Sequence, residues 1–499
     1  MDRTLLLGAL EEHSINLKAH QVDGFYGDLH RLGYPDLPHY VELYSNQQRR
    51  HQEEKKSCST PADEHLMARD IHTNIVFSLK QLPLKFVHFL RNTKEFSTTT
   101  STIDIAAPSN DNKTTKLAIR LQDGHLVESV IMRHRHENTE GRVDTRVTLC
   151  VSSQVGCAMG CTFCATGTMG IRGNLCTGEI LEQLVHAERL LREEEKQSDE
   201  ERAGMIFVGN CIRNIVFMGM GEPLNNYNNV VAAVRALLHP KLWNLRHTRV
   251  TVSTVGVTPN MKRLTKDLPE VALALSLHAP NQEMRSAIVP AAKSYPIKGL
   301  IDALDDHLMV NVKKKEDIEA RKTASKKKKV MIEYVMLEGD TSSFECAHQL
   351  GKLCERRYLI VNLIPYNQTD VKDKLRCPSV EHMKEFQRIV ASYGAFVYIR
   401  QTMGADVNGA CGQLVVNKGK NNQIVDIEDG PFHDKNKSRR TVARYNIRSD
   451  GGADASKNNS RGKAKSDDIL IRNLAIATGV AAACFLISSI VMLGHRKKA

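Results

Sequence analysis

Aromatic side chains are scarce in this sequence. Phe, Trp and Tyr make up 5% of its 499 residues, and Trp243 is the only tryptophan. Proteins that bind single-stranded nucleic acid by stacking need clustered aromatic rings, so the composition argues against a stacking platform. A secretory signal is also lacking, because residues 1–10 contain Asp2 and only a very short apolar run. With 41% hydrophobic residues, the chain is nevertheless long enough for about three packed domains, which excludes fibrous and wholly disordered classes.

The positive charge is distributed unevenly. The formal net charge is +12, but residues 431–499 alone hold 14 basic and 5 acidic residues. Residues 313–329 hold another 9 basic and 3 acidic residues. The rest of the chain is therefore slightly acidic, and net charge alone does not predict a basic binding surface. The lysine-rich stretch is either a contact for RNA phosphates or a solvated insertion.

From residue 146 onward, short β-branched segments alternate with amphipathic helices. The predicted strands are 147–151, 214–218, 249–254, 271–277, 330–336, 359–364 and 396–401. Buried strands that alternate with helices predict an α/β fold with a parallel sheet. Six or seven repeats are too few for an eightfold barrel, so the pattern favours a partial (β/α)6-type barrel.

The sequence divides into five predicted regions. A helical accessory domain is expected at 1–110, a small β extension at 111–145 and the partial barrel at 146–417. Residues 418–468 are polar and aperiodic, which predicts a disordered, flexible basic linker. Residues 474–493 form a run of 20 without a charge, which matches the apolar thickness of a bilayer and predicts a transmembrane helix at 474–494.

This C-terminal segment sets the expected location. As a tail anchor it would hold a cytoplasmic-facing protein on a membrane whose identity the sequence does not reveal. The alternative is a buried C-terminal helix, because Ala and Gly lower the hydrophobicity of the segment. In that case the protein would reside in the cytoplasm.

The cysteines cluster in one part of the chain. Cys157, Cys161 and Cys164 form a C-x3-C-x2-C motif just after a predicted strand, with Cys150 before it and Cys176 after it. In a long chain without a secretory signal, such clustering indicates metal or redox chemistry rather than a disulfide framework. Three thiolates on one loop can hold a single iron–sulfur or zinc centre. A structural zinc would need a fourth ligand from a second Cys or His pair, and the sequence has none, so the motif favours a catalytic centre with an open position.

This loop resembles that of radical S-adenosylmethionine enzymes, and its surroundings resemble RNA adenine methyltransferases of the RlmN/Cfr type. Seven motifs occur in the order of that family and cover about residues 116–416. They are CVSSQVGC at 150–157, FMGMGEPL at 217–224, TVST at 251–254, LSLHAP at 275–280, IEYVM at 332–336, NLIP at 362–365 and ACGQL at 410–414.

The resemblance implies two cofactors, a [4Fe-4S] cluster and S-adenosylmethionine, with two molecules of the latter used per turnover. The three motif cysteines Cys157, Cys161 and Cys164 would hold the cluster. Gly221 and Glu222 would bind the amino-acid end of S-adenosylmethionine. The residues expected to line the rest of its site are Ser253, Ser276, Leu277, His278 and Asn362.

The resemblance also implies catalytic roles outside the motif loop. Cys411 matches the cysteine that carries the methyl group as an S-methylcysteine intermediate, and Cys150 matches the partner that resolves the adduct by forming a disulfide with it. Glu128 aligns with a proton acceptor, with a non-catalytic role as the alternative. Met218 matches a methionine beside the cluster, although methionine often fills gaps in a core. Cys176 has the wrong spacing for a cluster ligand.

The predicted function is methylation of adenosine at C2 in large-subunit ribosomal RNA, transfer RNA or both. The alternatives are methylation at adenine C8, as in the Cfr branch, and a catalytically inactive, membrane-anchored RNA-binding scaffold. The resemblance implies RNA, contacted by the helical domain at 1–110, and a flavodoxin- or ferredoxin-like electron donor as partners. The C-terminal segment adds the membrane, and the protein is expected to be a monomer.

Overall fold

The computed structural model describes residues 3–414, apart from 32–36, 58–81, 94–96, 138–142, 202–211, 241, 311–329, 358, 370 and 372–373. All of the described residues belong to one compact unit, residues 1–443. The lysine-rich stretch at 313–329, the predicted linker at 418–468 and the predicted membrane segment at 474–494 lie outside the described residues. Within residues 3–414, no described helix has the length and apolarity needed to cross a membrane.

Helices make up the N-terminal part of the chain. The described ones are α1 (Arg3–Glu12), α2 (Ala19–Arg31), α3 (Leu37–Ser57) and α4 (Leu84–Asn92). Their apolar faces meet around Phe25, whose ring lies edge-on to Tyr40 at 5.1 Å and to Phe86 at 5.2 Å between centroids. Such edge-to-face pairs add to the stabilisation from burial alone. Val185, from a helix of the following α/β part, belongs to the same cluster, so the two parts pack directly together.

A ten-stranded sheet lies at the centre of the described chain. Its antiparallel end is formed by β1 (Thr102–Pro108), β2 (Thr114–Arg120), β3 (Leu126–Glu137) and β4 (Val143–Cys150). From β4 it continues as parallel strands β7 (Ile212–Phe217), β8 (Val250–Thr254), β9 (Ala272–Ser276), β10 (Met331–Met336), β11 (Ile360–Pro365) and β12 (Phe396–Ile399). The strand β4 joins the two parts because it pairs antiparallel with β3 and parallel with β7. The predicted α/β class with a parallel sheet is confirmed.

Helices connect the parallel strands and cover them. They are α6 (Thr177–Glu201), α7 (Tyr227–Leu238), α8 (Thr258–Asp267), α9 (Gln282–Ile288), α10 (Ile297–Met309), α11 (Phe344–Cys354) and α12 (Val380–Ala391). Three of them begin after a capping side chain, since Asn281, Ser343 and Ser379 each accept a hydrogen bond from a backbone N–H of the first turn. All five residues of β8 are buried, as expected for a parallel strand covered on both faces.

A separate two-stranded ribbon carries the cysteine loop. It consists of β5 (Gln154–Cys157) and β6 (Gly170–Asn174), and the short helix α5 (Ala165–Thr168) lies between them. Gly156 is required where the two strands meet, because its φ is +77° and a β-carbon there would lie 1.9 Å from the carbonyl oxygen of Gly170. This close approach fixes the position of Cys157 at the end of β5.

Candidate active site

The three motif cysteines line one cavity of about 160 Å³ at the carboxyl ends of the parallel strands. Cys157 ends β5 and Cys164 immediately precedes α5, so Cys161 lies in the loop between them. The loop is fixed at its middle because Thr162 N–H donates to the carbonyl oxygen of Ile288 at 3.0 Å. The structure therefore brings all three predicted ligands to one place.

Burial keeps these thiols protonated in the absence of a metal. It raises the pKa of Cys157 to about 12, and it also raises the pKa values of Cys161 and Cys164. The thiols of Cys157 and Cys164 reinforce this effect on Cys161 by electrostatic repulsion. A strongly electropositive group is needed to hold all three as thiolates.

The donor set is one that an iron–sulfur cluster takes. Such a cluster binds thiolates at separate iron atoms, and Cys157, Cys161 and Cys164 all line one cavity. Within the described residues, no three His, Cys, Asp or Glu side chains form a group that could hold a single metal ion.

The predicted S-adenosylmethionine residues lie on the wall of the same cavity. Gly221, Glu222, Ser253, Ser276 and His278 all line it. The carboxylate of Glu222 accepts hydrogen bonds from the backbone N–H groups of Leu224 and Val255, both at 2.9 Å, and burial raises its pKa. Backbone donors therefore hold this carboxylate in place at the ends of β7 and β8.

Three further features shape this wall. Ser253 and Ser276 end neighbouring strands, and their hydroxyl oxygens lie 3.2 Å apart. His278 has a positive φ of 63°, and its Nδ1 accepts a hydrogen bond from Val335 N–H at 3.1 Å. Burial lowers the pKa of His278 to about 3, so the imidazole is neutral and available as a hydrogen-bonding group. The edge of Phe163 packs against this ring at 4.8 Å between centroids.

A second cavity of about 380 Å³ shares several lining residues with the cysteine cavity and is named the outer cavity. Cys150, Asn362, Met218, Arg400 and Cys411 line it. The last three also line the cysteine cavity, so they form a shared wall. Cys411 thus borders both cavities.

The guanidinium group of Arg400 lies near two sulfur atoms and a carboxylate at the shared wall. Its Nη1 lies 3.8 Å from the Cys411 sulfur, 3.9 Å from the Met218 sulfur and 3.6 Å from the Glu333 carboxylate. Cys150 interacts electrostatically with both Arg400 and Cys411, and burial raises its pKa to about 12. The two predicted catalytic cysteines therefore share one cationic neighbour, and both are free thiols in this structure.

The segment that carries Cys411 is held from two sides. The side-chain amide of Asn367 donates to the Cys411 carbonyl oxygen at 3.2 Å. On the other side, Ala165 N–H donates to Gly412 O at 2.8 Å and Thr166 Oγ1 donates to Leu414 O at 2.5 Å. Since Ala165 directly follows Cys164, the cysteine loop and the Cys411 segment are connected by hydrogen bonds.

Four other residues that the sequence singled out lie apart from the cysteine cavity. Leu277 is fully buried and contributes its backbone N–H to Glu333 O at 3.0 Å. Asn362 lines only the outer cavity, where it donates to the Glu333 carboxylate at 2.8 Å. Glu128 is buried on β3 in an ion pair with Lys116 at 3.2 Å and lines neither cavity. Cys176 is exposed and lines neither cavity.

Sequence analysis missed Glu333, Asn367 and Arg400. Glu333 had a detectable signal, since it is a lone carboxylate within the apolar strand β10 and is almost fully buried. Arg400 directly follows β12, and the carboxyl ends of parallel strands are where functional side chains collect. Asn367 has no comparable sequence signal, because it lies in a loop.

Comparison with known proteins gives consistent matches. The profile of the Radical SAM superfamily matches residues 151–342. The chain is 37% identical over 306 residues to ribosomal RNA large subunit methyltransferase N of Nitrosopumilus maritimus. The aligned residues cover 61% of this chain and 78% of that protein. It is 40% identical over 306 residues to dual-specificity RNA methyltransferase RlmN of Psychrobacter arcticus, with 61% and 70% covered. A crystal structure of a radical SAM methyltransferase from Sphaerobacter thermophilus superposes with a TM-score of 0.60 at 30% identity, covering 82% of this chain and 96% of that one.

Proposed function

The chain belongs to the RlmN family of radical S-adenosylmethionine RNA methyltransferases, and from this premise we propose that it methylates C2 of adenosine in ribosomal or transfer RNA through a methylated Cys411. The observation that carries the proposal is the position of Cys411 in the wall between two cavities. A group that first accepts a methyl group and then delivers it must reach both the donor and the acceptor.

The lining of the cysteine cavity suits the two cofactors. Cys157, Cys161 and Cys164 would hold the [4Fe-4S] cluster, and the wall formed by Gly221, Glu222, Ser253, Ser276 and His278 would hold S-adenosylmethionine. When bound, these groups supply the methyl group and the one-electron chemistry that an electron-poor carbon such as adenine C2 requires. The buried, hydrogen-bonded Glu222 carboxylate is fixed in advance, so it would orient an ammonium group without rearrangement.

The cysteine pair suits the transfer itself. As a thiolate, Cys411 would accept a methyl group at sulfur. That methyl group would give up one hydrogen atom to the one-electron chemistry that the bound cofactors supply, and its carbon would bond to adenine C2, which releases its own hydrogen as a proton and gives back one electron. Cys150 would then attack the Cys411 sulfur, so that a disulfide forms while the bond from sulfur to the transferred carbon breaks and that carbon takes up a proton to become the methyl group of the base. An external electron donor of the flavodoxin or ferredoxin class would supply the two electrons that, with two protons, restore both thiols. The proposed working form is a monomer.

Arg400 is expected to stabilise the thiolate of Cys411. Arg400→Met should lower the rate of RNA methylation by about 100-fold, because a fixed charge beside a reacting atom stabilises the charge that develops there. Arg400→Lys, which keeps the charge, should lose less. Single-turnover transfer of labelled methyl groups measures both variants. Equal rates for Arg400→Met and the unmodified protein would show that this charge has no part in the reaction.

The product is identified by mass spectrometry of nucleosides from RNA treated with the reconstituted enzyme. We expect 2-methyladenosine, and separate reactions with ribosomal and transfer RNA show which is the substrate. If 8-methyladenosine forms instead, the regiochemistry of the proposal is wrong. If neither forms with an intact cluster, the scaffold alternative replaces the enzyme.

We also propose that residues 474–494 tether the enzyme to a membrane with its catalytic part facing the cytoplasm. The support is sequence alone, namely a run of 20 residues without a charge followed by basic residues. Deletion of residues 474–499 should move the protein from the membrane fraction to the soluble fraction in cell fractionation. If the full-length chain is already found in the soluble fraction, residues 474–494 do not act as an anchor.

A further inference from the structure

Arg285 on α9 is the bulkiest fully buried side chain among the described residues, with 0% exposure. Burying a guanidinium without an opposite charge is costly, because the lost hydration must be replaced. Among the described residues, the ionisable groups that interact electrostatically with Arg285 are the thiol of Cys161 and the imidazole of His278, and neither is a carboxylate. The mechanism described above makes no use of this residue.

Backbone carbonyl groups fix the orientation of the guanidinium. Its Nε donates to Leu277 O at 3.0 Å, and its Nη2 donates to Ser276 O at 3.3 Å and to Val255 O. These carbonyl groups follow the ends of β8 and β9, next to the residues that line the cysteine cavity. The remaining nitrogen, Nη1, has no hydrogen-bond partner among the described residues.

The position of α9 places this charge behind the cysteine loop. Ile288, in the last turn of the same helix, accepts the hydrogen bond from Thr162 N–H at 3.0 Å. Thr162 directly follows Cys161, whose side chain is itself buried. Burial lowers the pKa of Arg285 to about 10, and the Cys161 thiol partly opposes that shift, just as the guanidinium partly opposes the rise that burial causes in the pKa of Cys161.

We propose that Arg285 is a positioning residue for the [4Fe-4S] cluster, whose negative charge it compensates from behind the Cys161 ligand. Three thiolates outweigh the positive charge of the iron–sulfur core, and reduction adds one further negative charge. Net charge and hydrogen bonds near the sulfurs set the reduction potential of such clusters. A fixed cation at this point stabilises the reduced cluster most, so it raises the potential. This inference rests on the cluster of the proposed function.

The test is a redox titration of the reconstituted protein, followed by the electron paramagnetic resonance signal of the reduced cluster. Arg285→Gln should shift the midpoint potential to more negative values, and Arg285→Lys should shift it less. The matched control is Arg357→Gln, which removes a half-buried arginine paired with Asp305 at 3.0 Å on the amino-end side of β11. This control should leave the potential unchanged. A cluster of unchanged potential in Arg285→Gln overturns the inference.

The outcomes separate this inference from the proposed function. Iron and sulfide are measured first, and an unmodified protein that assembles no cluster contradicts the proposed function itself. If Arg285→Gln does not fold, hydrogen exchange of the unmodified protein replaces it. Amides of residues 282–289 should exchange more slowly after cluster loading, because attraction between the negatively charged cluster and the buried guanidinium stabilises the helix that carries it. Equal exchange in the two forms contradicts the inference.

Discussion

Replacing Cys411 with alanine is expected to lower methyl transfer to RNA by more than about a thousandfold, as is usual when a covalent nucleophile is removed. The reason is its position: Cys411 lies in the wall shared by the two cavities and next to Arg400. No other cysteine of the described residues lines both the outer cavity and the cysteine cavity. The rate is measured as methyl label transferred to RNA under anaerobic conditions.

The cluster content separates loss of the nucleophile from loss of the fold. Cys411→Ala should keep the iron, the sulfide and the visible absorption of the unmodified protein, because Cys411 is not one of the three motif cysteines. Cys377→Ala is the matched control, since Cys377 is also half-buried but lines neither cavity. That control should retain its rate. Undiminished RNA methylation by Cys411→Ala would exclude the methyl-cysteine route.

Replacing Cys157 with alanine is expected to abolish both cluster assembly and RNA methylation. Two thiolates cannot hold a four-iron cluster as three do. Burial raises the pKa of the remaining thiols, so both stay protonated unless a tightly bound cluster displaces their protons. The measurements are iron per chain, visible absorption and methyl transfer. Removal of iron from the unmodified protein with a chelator should have the same effect on activity.

Cys176→Ala is the control for the cluster variant. Cys176 lies close to the motif in the sequence, but it is exposed and its sulfur accepts a hydrogen bond from Glu179 N–H at the start of α6. Iron content and activity should therefore remain at the level of the unmodified protein. Loss of the cluster in Cys176→Ala, or its retention in Cys157→Ala, would mean that the ligands were assigned incorrectly.

The central parallel strands could be predicted from the sequence because they are covered on both faces. The strand predicted at 249–254 corresponds to β8 (Val250–Thr254), whose residues are all buried. The strand predicted at 396–401 begins at the same residue as β12 (Phe396–Ile399), which lies at the edge of the sheet and is partly exposed. Continuous apolar runs between helical patterns leave few alternatives. The C-x3-C-x2-C spacing likewise indicated which thiols would meet, since they lie on one short loop.

The long-range contacts of the site could not be predicted in this way. Arg400 meets Cys411 and Glu333 only after the ends of two strands, β10 and β12, and a loop have been brought together. From the sequence alone, Arg285 would be predicted to be an exposed arginine on a helix. Its burial follows only from the packing of α9 behind the cysteine loop. Periodicity reports which face of an element is covered, but it does not identify the neighbour that covers it.

The central claim is that Cys411 carries the methyl group that reaches the RNA. Peptide mass spectrometry of the loaded enzyme after incubation with labelled S-adenosylmethionine alone tests it most directly. We expect one labelled methyl group on the peptide that contains Cys411, and we expect this label to appear in adenosine when unlabelled S-adenosylmethionine and RNA are then added. Methylated RNA from an enzyme whose Cys411 never carries the label would contradict the account.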